Sequence, residues 1–90
     1  MMNYNELIER ASKYLDERFP HHAEHYTAED LLHDMMWDAN PQREKDGITE
    51  TKYFVESKYE DFGNITEFSK PVYDEDGEIE DWEVIGYEIG

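Results

Sequence analysis

The side chains of this chain best suited to chemistry are carboxylates. Pro71–Gly90 holds Asp74, Glu75, Asp76, Glu78, Glu80, Asp81, Glu83 and Glu88, and no lysine or arginine. A second set, Asp30, Asp34 and Asp38, is spaced i, i+4, i+8 with no lysine or arginine among them. On a helix that spacing stacks like charges one turn apart, at a cost of a few tenths of a kcal/mol per pair, about 0.2–0.5. Trp37 falls between Asp34 and Asp38 on a helical wheel. Arrays of this kind can hold a metal ion, share a proton in acid–base work, or meet the cations of a partner.

The spacing argues against the first two. Asp74–Glu83 resembles an EF-hand loop: with Gly77 as the sixth-position glycine, Asp74, Asp76 and Glu83 take the third, fifth and twelfth positions, and Ile79 the apolar one. The leading position is Val72, which cannot ligate, and the flanks read as strands. His21 and His25 stand one helical turn apart, as a zinc pair would, but the zincin pattern needs glutamate directly after the first histidine and His22 is there. The cluster reads as a polar interhelical loop. Twenty-four acids guarantee chance carboxylate pairs, so proximity alone identifies no dyad. No glycine-rich phosphate loop and no nucleophile elbow is present. The expectation is a protein with no catalytic residue, no metal and no cofactor.

The third use remains. Alternate carboxylates on a strand repeat every ~6.6 Å, and i,i+4 carboxylates on a helix lie roughly 5–6 Å apart. Both are near the pitch of successive phosphates along a nucleic-acid strand. A folded scaffold could therefore offer carboxylates to lysines and arginines that grip phosphates, with association steered by field and weakened by salt. Tight binding also needs desolvated aromatic anchors. Trp37, beside Asp34 and Asp38, and Trp82, beside Asp81 and Glu83, are the candidates, although the plain reading of Trp82 is a core residue.

Bulk properties set limits. Ninety residues make one domain, 1–90. A net charge of −16 opposes compaction, yet 38% hydrophobic residues and 13 aromatics give enough apolar area to fold. The absence of cysteine fits a reducing cytoplasm. No apolar run approaches the ~18 residues of a membrane span, Met1–Arg10 lacks a secretory pattern, and acidity disfavours direct contact with nucleic acid or anionic lipid. A compact chain of this length would be roughly 31 Å across. Duplex DNA of that length carries about 18 charges, close to this chain's total.

The elements that must position these residues follow from period and punctuation. Tyr4–Phe19 reads as a helix, with Asn3 as N-cap, Glu6 completing a capping box, and Tyr4, Leu7, Ile8, Ala11, Tyr14 and Leu15 on one face. Ala28–Ala39 reads as a second, capped by Thr27, with Leu31, Leu32, Met35, Met36 and Ala39 as its apolar stripe and Asn40-Pro41 as its stop. Residues 41–47 read as a linker. Thr51–Tyr59 reads as a strand, with a helix through Phe54, Val55, Tyr59 and Phe62 as its rival. Asn64–Tyr73 and Ile79–Ile89 flank an Asp76-Gly77 turn, a strong hairpin signal. In the last strand Ile79, Ile85, Tyr87 and Ile89 share a parity that Trp82 and Val84 do not, which predicts a bulge near Glu80-Asp81 or burial of both faces. The charge is uneven: residues 1–47 hold 11 acids and 5 bases, residues 48–90 hold 13 and 3.

The expected fold is α+β, two antiparallel helices packed on a small antiparallel sheet of about three strands ending in an acidic hairpin. In size, charge and aromatic content the chain is similar to small phage and plasmid DNA-mimic inhibitors, including anti-restriction and anti-CRISPR proteins. That similarity implies a non-enzymatic inhibitor that blocks the nucleic-acid-binding groove of a basic host protein, such as a nuclease or a CRISPR or restriction complex. The binding residues would be Asp74, Glu75, Asp76, Glu78, Glu80, Asp81 and Glu83 on the hairpin, and Asp30, Asp34, Asp38 and Trp37 on the second helix. Two alternatives stand beside it: an immunity protein or antitoxin that caps a basic toxin, and a solubility-adapted regulatory or structural domain with no basic partner.

Overall fold

The computed structural model describes residues 1–37 and 39–90, with the side chains of residues 40–42 outside that description. Two helices, α1 (Tyr4–Arg18) and α2 (Ala28–Met35), precede four strands, β1 (Ala39–Lys45), β2 (Ile48–Tyr53), β3 (Ile65–Tyr73) and β4 (Ile79–Ile89), with a 3-10 turn at Ser57–Tyr59. The strands form one antiparallel sheet in the order β1-β2-β3-β4. The fold is α+β, with four strands where about three were expected.

Local chemistry explains where both helices start. The Asn3 side chain accepts from the Glu6 N–H at 2.9 Å while Glu6 accepts from the Asn3 N–H. Thr27 and Asp30 exchange the same pair of bonds ahead of α2. Each box satisfies two backbone donors that the helix itself cannot. Helix α2 stops earlier than its sequence period implies, at Met35 rather than Ala39. The cause is tertiary: Ala39 is taken by β1, opposite Tyr53 of β2. The segment 41–47, expected to be a linker, is therefore mostly strand. Its signal was Asp46-Gly47, both at positive φ (55° and 75°), a two-residue hairpin turn that pairs Lys45 with Ile48. The expected strand Thr51–Tyr59 is displaced toward the N-terminus. It ends at Tyr53, and Tyr59 reaches the core from the 3-10 turn instead.

The core joins the two layers at one end of the sheet. Leu7, Ala11, Tyr14 and Leu15 of α1 meet Leu31, Leu32 and Met35 of α2, and both meet Tyr59, Ile65 and Tyr87. The Tyr14 hydroxyl donates to Asp61 at 2.7 Å, and Asp61 also pairs with Arg18. Met2 exchanges two backbone hydrogen bonds with Tyr87 and closes the outer edge of β4 at this end.

The parity conflict in β4 resolves through two bulges. Register slips by one residue at Glu80, between the pairs Val72/Asp81 and Tyr73/Ile79, and again at Ile85, between Phe68/Gly86 and Ser69/Val84. Each extra residue reverses the alternation. Ile79, Trp82, Val84, Tyr87 and Ile89 thereby share the face of Ile65 that packs on the helices. The bulge at Glu80 is the one the sequence predicts.

The molecule measures 51 × 23 × 20 Å, with a Cα radius of gyration of 14.9 Å, against about 12 Å for a compact chain of this length. The expected 31 Å globule is therefore replaced by an elongated body. Pairing of β2 with β3 ends at Thr49/Ser69, whereas β3 and β4 stay paired out to Tyr73/Ile79. The outer part of that hairpin is a two-stranded ribbon that runs on past the rest of the sheet.

Candidate functional site

The ribbon tip is built by one carboxylate. Asp74 Oδ1 accepts from the backbone N–H groups of Asp76 and Glu78, each at 2.9 Å. Gly77, at φ 82°, returns its N–H to the Asp74 carbonyl, and the Asp74 N–H reaches the Glu78 carbonyl. Glu75 and Asp76 are the central residues of the turn, and Gly77 supplies the left-handed position that lets β4 begin. Asp74 thus shapes the tip, while Glu75, Asp76, Glu78 and Glu80 point into solvent and form no ion pair among the described residues. Asp81 accepts from the Trp82 N–H. Glu83 pairs with Lys70 across the ribbon at 3.5 Å and is partly neutralised.

The acids of α2 do other work. Asp30 belongs to the capping box, and the Thr27 N–H and hydroxyl that it accepts hold its carboxyl below the usual range. Asp34 accepts the Tyr26 hydroxyl, whose pKa is raised by burial and then by that carboxylate. Asp38 lies outside the described residues. Trp37 follows the end of the helix instead of riding on its polar face, and it is 78% exposed. Helix α2 packs on α1, so its acids belong to the helical layer and those of the hairpin to the sheet.

Trp82 is not a core residue. It is 47% exposed, on the same ribbon face as Tyr73, Ile79 and Val84, which are also exposed. The opposite face of the sheet is of mixed sign. Arg43 lies across from Glu50 and Lys70 from Glu83, and Lys45, Lys52, Asp81 and Glu88 share that face by register. Half of the chain's bases are therefore set among acids on the outer sheet face, and the ribbon tip has none.

One carboxylate of note escaped the sequence reading. Glu67 sits on the helix-facing side of β3, between Thr51 and Tyr87 across the ladders, and is half-buried. Burial and then the Glu67 carboxylate push the Tyr87 hydroxyl up to about 12, and Tyr53 rises for the same two reasons. Beyond the last helical contact this face opens into a cleft of about 330 Å³, lined by Glu67, Tyr53, Trp82 and the small hydroxyl residues Thr49, Thr51 and Ser69, together with Ala39. The available signal was parity: a carboxylate in step with Ile65, on the side of a strand that should be apolar.

The histidine segment forms a cleft of about 620 Å³ between Leu15, Phe19, Tyr26, Leu31 and Tyr59. His22 contacts the Ala23 carbonyl at 3.0 Å and Asp16 at 3.3 Å, and these two acceptors raise its pKa in that order. Among the described residues no three His, Asp or Glu side chains converge as a metal site. The segment that resembles an EF-hand loop is flanked by strands, not helices. No helix among the described residues is long and apolar enough to cross a membrane. Comparison with protein-family models, with curated proteins and with solved structures gives no match.

Proposed function

We propose that this chain is a non-enzymatic acidic inhibitor whose β3–β4 ribbon enters the nucleic-acid-binding groove of a basic protein and competes there with the nucleic acid. The observation that carries this reading is the ribbon tip: Glu75, Asp76, Glu78 and Glu80 project past the body of the molecule with no cation paired to them among the described residues. Such a shape brings carboxylates to the floor of a groove, while the −16 field of the whole chain steers the approach.

Charge density refines which polyanion is imitated. A duplex as long as this molecule, 51 Å, carries about 30 charges, nearly twice this chain's total. The ribbon from Lys70 to Glu83 holds seven acids and one base. Its length is about 20 Å at the rise of a strand, and one strand of DNA carries about 6 charges over that distance. The net charge of the ribbon is thus that of a single phosphodiester strand. Tyr73, Ile79 and Trp82 supply apolar contact beside the charges, in the place where bases would stack in a nucleic-acid groove. A nuclease or a CRISPR or restriction complex of a bacterial defence system is the partner class this reading names, with the chain acting in the host cytoplasm.

Affinity capture from a bacterial lysate, at low and high salt, tests it. The expected catch is one or more basic nucleic-acid-binding proteins, released by salt and by excess single-stranded or duplex DNA, and lost with the variant Asp76→Lys/Glu78→Lys/Glu80→Lys. A salt-insensitive catch of non-basic proteins would remove the reading. A basic partner held equally well in the presence of saturating DNA would favour a capped toxin over a blocked groove.

A further inference from the structure

The cleft around Glu67 is a part of the surface that the hairpin charges do not explain. We propose that it receives a single arginine side chain of the basic partner, with the guanidinium on Glu67 and its plane against Trp82 and Tyr53. This rests on the reading of the chain as a binder of basic proteins and names the anchor that reading lacks.

Three observations carry it. First, Glu67 is one of two described carboxylates that are half-buried, the other being Glu50 on the mixed-sign face. Its neighbours across the ladders are Thr51 and Tyr87, neither of them a cation. A carboxylate offers about four lone-pair sites, and Tyr87 stands directly across the ladder from it. Glu67 lines the cleft, where a fork of N–H donors would meet its carboxylate. Second, the floor is Thr49, Thr51 and Ser69, which are 9%, 6% and 5% exposed. Hydroxyl oxygens are further acceptors, and short side chains leave depth between the taller Tyr53 and Trp82. Third, the wall is aromatic. Trp82 lines the cleft and keeps a large exposed area, like Tyr73, Ile79 and Val84 on the same face. A cation over an indole face gains about 0.5–1 kcal/mol at an exposed site and more when desolvated.

Size and chemistry select the ligand. The cleft, about 330 Å³, stands at the small end of the 300–1,000 Å³ of small-molecule sites, suited to one side chain. Arginine is planar, weakly hydrated and able to stack and to fork onto a carboxylate at once, whereas a lysine ammonium is a strongly hydrated point charge. The ribbon would then carry the many weak ion pairs, and the cleft at its root one desolvated contact of the kind that dominates binding energy.

The test is an NMR titration of the ¹⁵N-labelled chain, in a Trp37→Phe background, with N-acetyl-arginine amide, N-acetyl-lysine amide and N-acetyl-glutamine amide. The expected result is a saturable one-to-one shift of the Tyr53, Glu67 and Ser69 amides and of the Trp82 indole with the arginine probe. The lysine probe should bind at least 3-fold more weakly and the glutamine probe should leave the cleft unmoved. Glu67→Gln, close in shape to the native side chain, should weaken the arginine probe 10-fold or more with the rest of the spectrum unchanged. Trp82→Ala should weaken it about 2- to 5-fold, and dispersed spectra of both variants establish that they fold. Shifts confined to residues 74–80, equal response to the lysine or glutamine probe, or no effect of Glu67→Gln would overturn the proposal. Salt-sensitive, DNA-competed capture of a basic protein by the Glu67→Gln variant at unchanged strength would also sink the cleft while leaving the hairpin reading intact. A cleft that binds the arginine probe in a chain that captures no basic protein would do the reverse.

Discussion

Asp74 and Asp76 are two residues apart in the same acidic turn, yet the structure gives them opposite roles, and replacing each in turn separates charge from architecture. Asp74 Oδ1 holds two backbone N–H groups at 2.9 Å, whereas Asp76 contributes only its exposed carboxylate. A hydrogen bond nets about 0.5–1.5 kcal/mol. The two donors are solvent-accessible, so water takes them when the side chain goes and no burial penalty is added. Asp74→Ala should therefore destabilise the tip by about 1–2 kcal/mol. Asp74→Asn keeps the acceptor oxygen and should recover most of that. Asp76→Ala should cost nothing and, by easing repulsion, stabilise slightly. Because the ribbon extends beyond the core, the loss should appear as local opening more than as a shift of the melting temperature. Amide hydrogen exchange is the direct assay. Asp74→Ala should lower protection at the amide of residue 74, which donates to the Glu78 carbonyl, and at that of Gly77, which donates to the carbonyl of residue 74, by roughly 5- to 30-fold, the equivalent of that energy, with core amides such as Leu7 and Ile65 unchanged. Equal exchange in Asp74→Ala and Asp76→Ala would refute the assignment of the turn to the Asp74 carboxylate. For the same reason a charge-reversal test of partner binding must leave Asp74 in place and act at Asp76, Glu78 and Glu80.

Three further outcomes are expected. Added sodium chloride should raise the melting temperature, by several degrees between ~10 and ~300 mM, because the Debye length shortens from about 30 Å to under 8 Å and like charges cease to oppose folding; a fall in melting temperature over that range would show that ion pairs outweigh repulsion. Since the Asp30 carboxyl is held below its ordinary range by Thr27, its contribution is present above that ordinary value and is lost as pH falls through the lowered one; Asp30→Asn should flatten the acid limb of a pH–stability curve followed by circular dichroism, and an unchanged limb would contradict the capping role. Tyr14→Phe removes the hydroxyl that burial and Asp61 raise to about 12 and should cost about 1 kcal/mol, read as a lower midpoint in urea with unchanged slope.

Much of the architecture is legible in short-range chemistry. Asn3 with Glu6 and Thr27 with Asp30 mark the two helix starts because a capping box needs only four consecutive residues. Asp76-Gly77 and its flanking runs mark β3 and β4, and the broken parity between Ile79 and Trp82 marks the bulge, since alternation along one strand is a local property. Hydrophobic period also places Leu7, Leu15, Leu31 and Met35 in the core. What failed in each case depends on a partner distant in sequence. The end of α2 and the existence of β1 follow from Ala39 facing Tyr53, and a polar edge strand leaves no hydrophobic pattern of its own to read. Asp46-Gly47 was a readable turn, but its meaning required a strand on its N-terminal side that composition alone did not suggest.

The sequence by itself determined that this protein is strongly acidic, that it carries helices followed by strands, and that its last two strands form a hairpin crowded with carboxylates; composition, period and turn chemistry are all contained in neighbouring residues. Only the tertiary structure decided which of those carboxylates are occupied and which are available. It engages Asp74 in a turn, Asp30 in a cap, Asp34 with Tyr26 and Glu83 with Lys70, frees Glu75, Asp76, Glu78 and Glu80 at a projecting tip, and sets Glu67 in a cleft that Trp82 also lines. The physical reason is that a charge is defined by its surroundings: whether a carboxylate meets a donor, a cation or open water depends on side chains and strands brought alongside by pairing register, and two bulges in one strand were enough to change that set of neighbours.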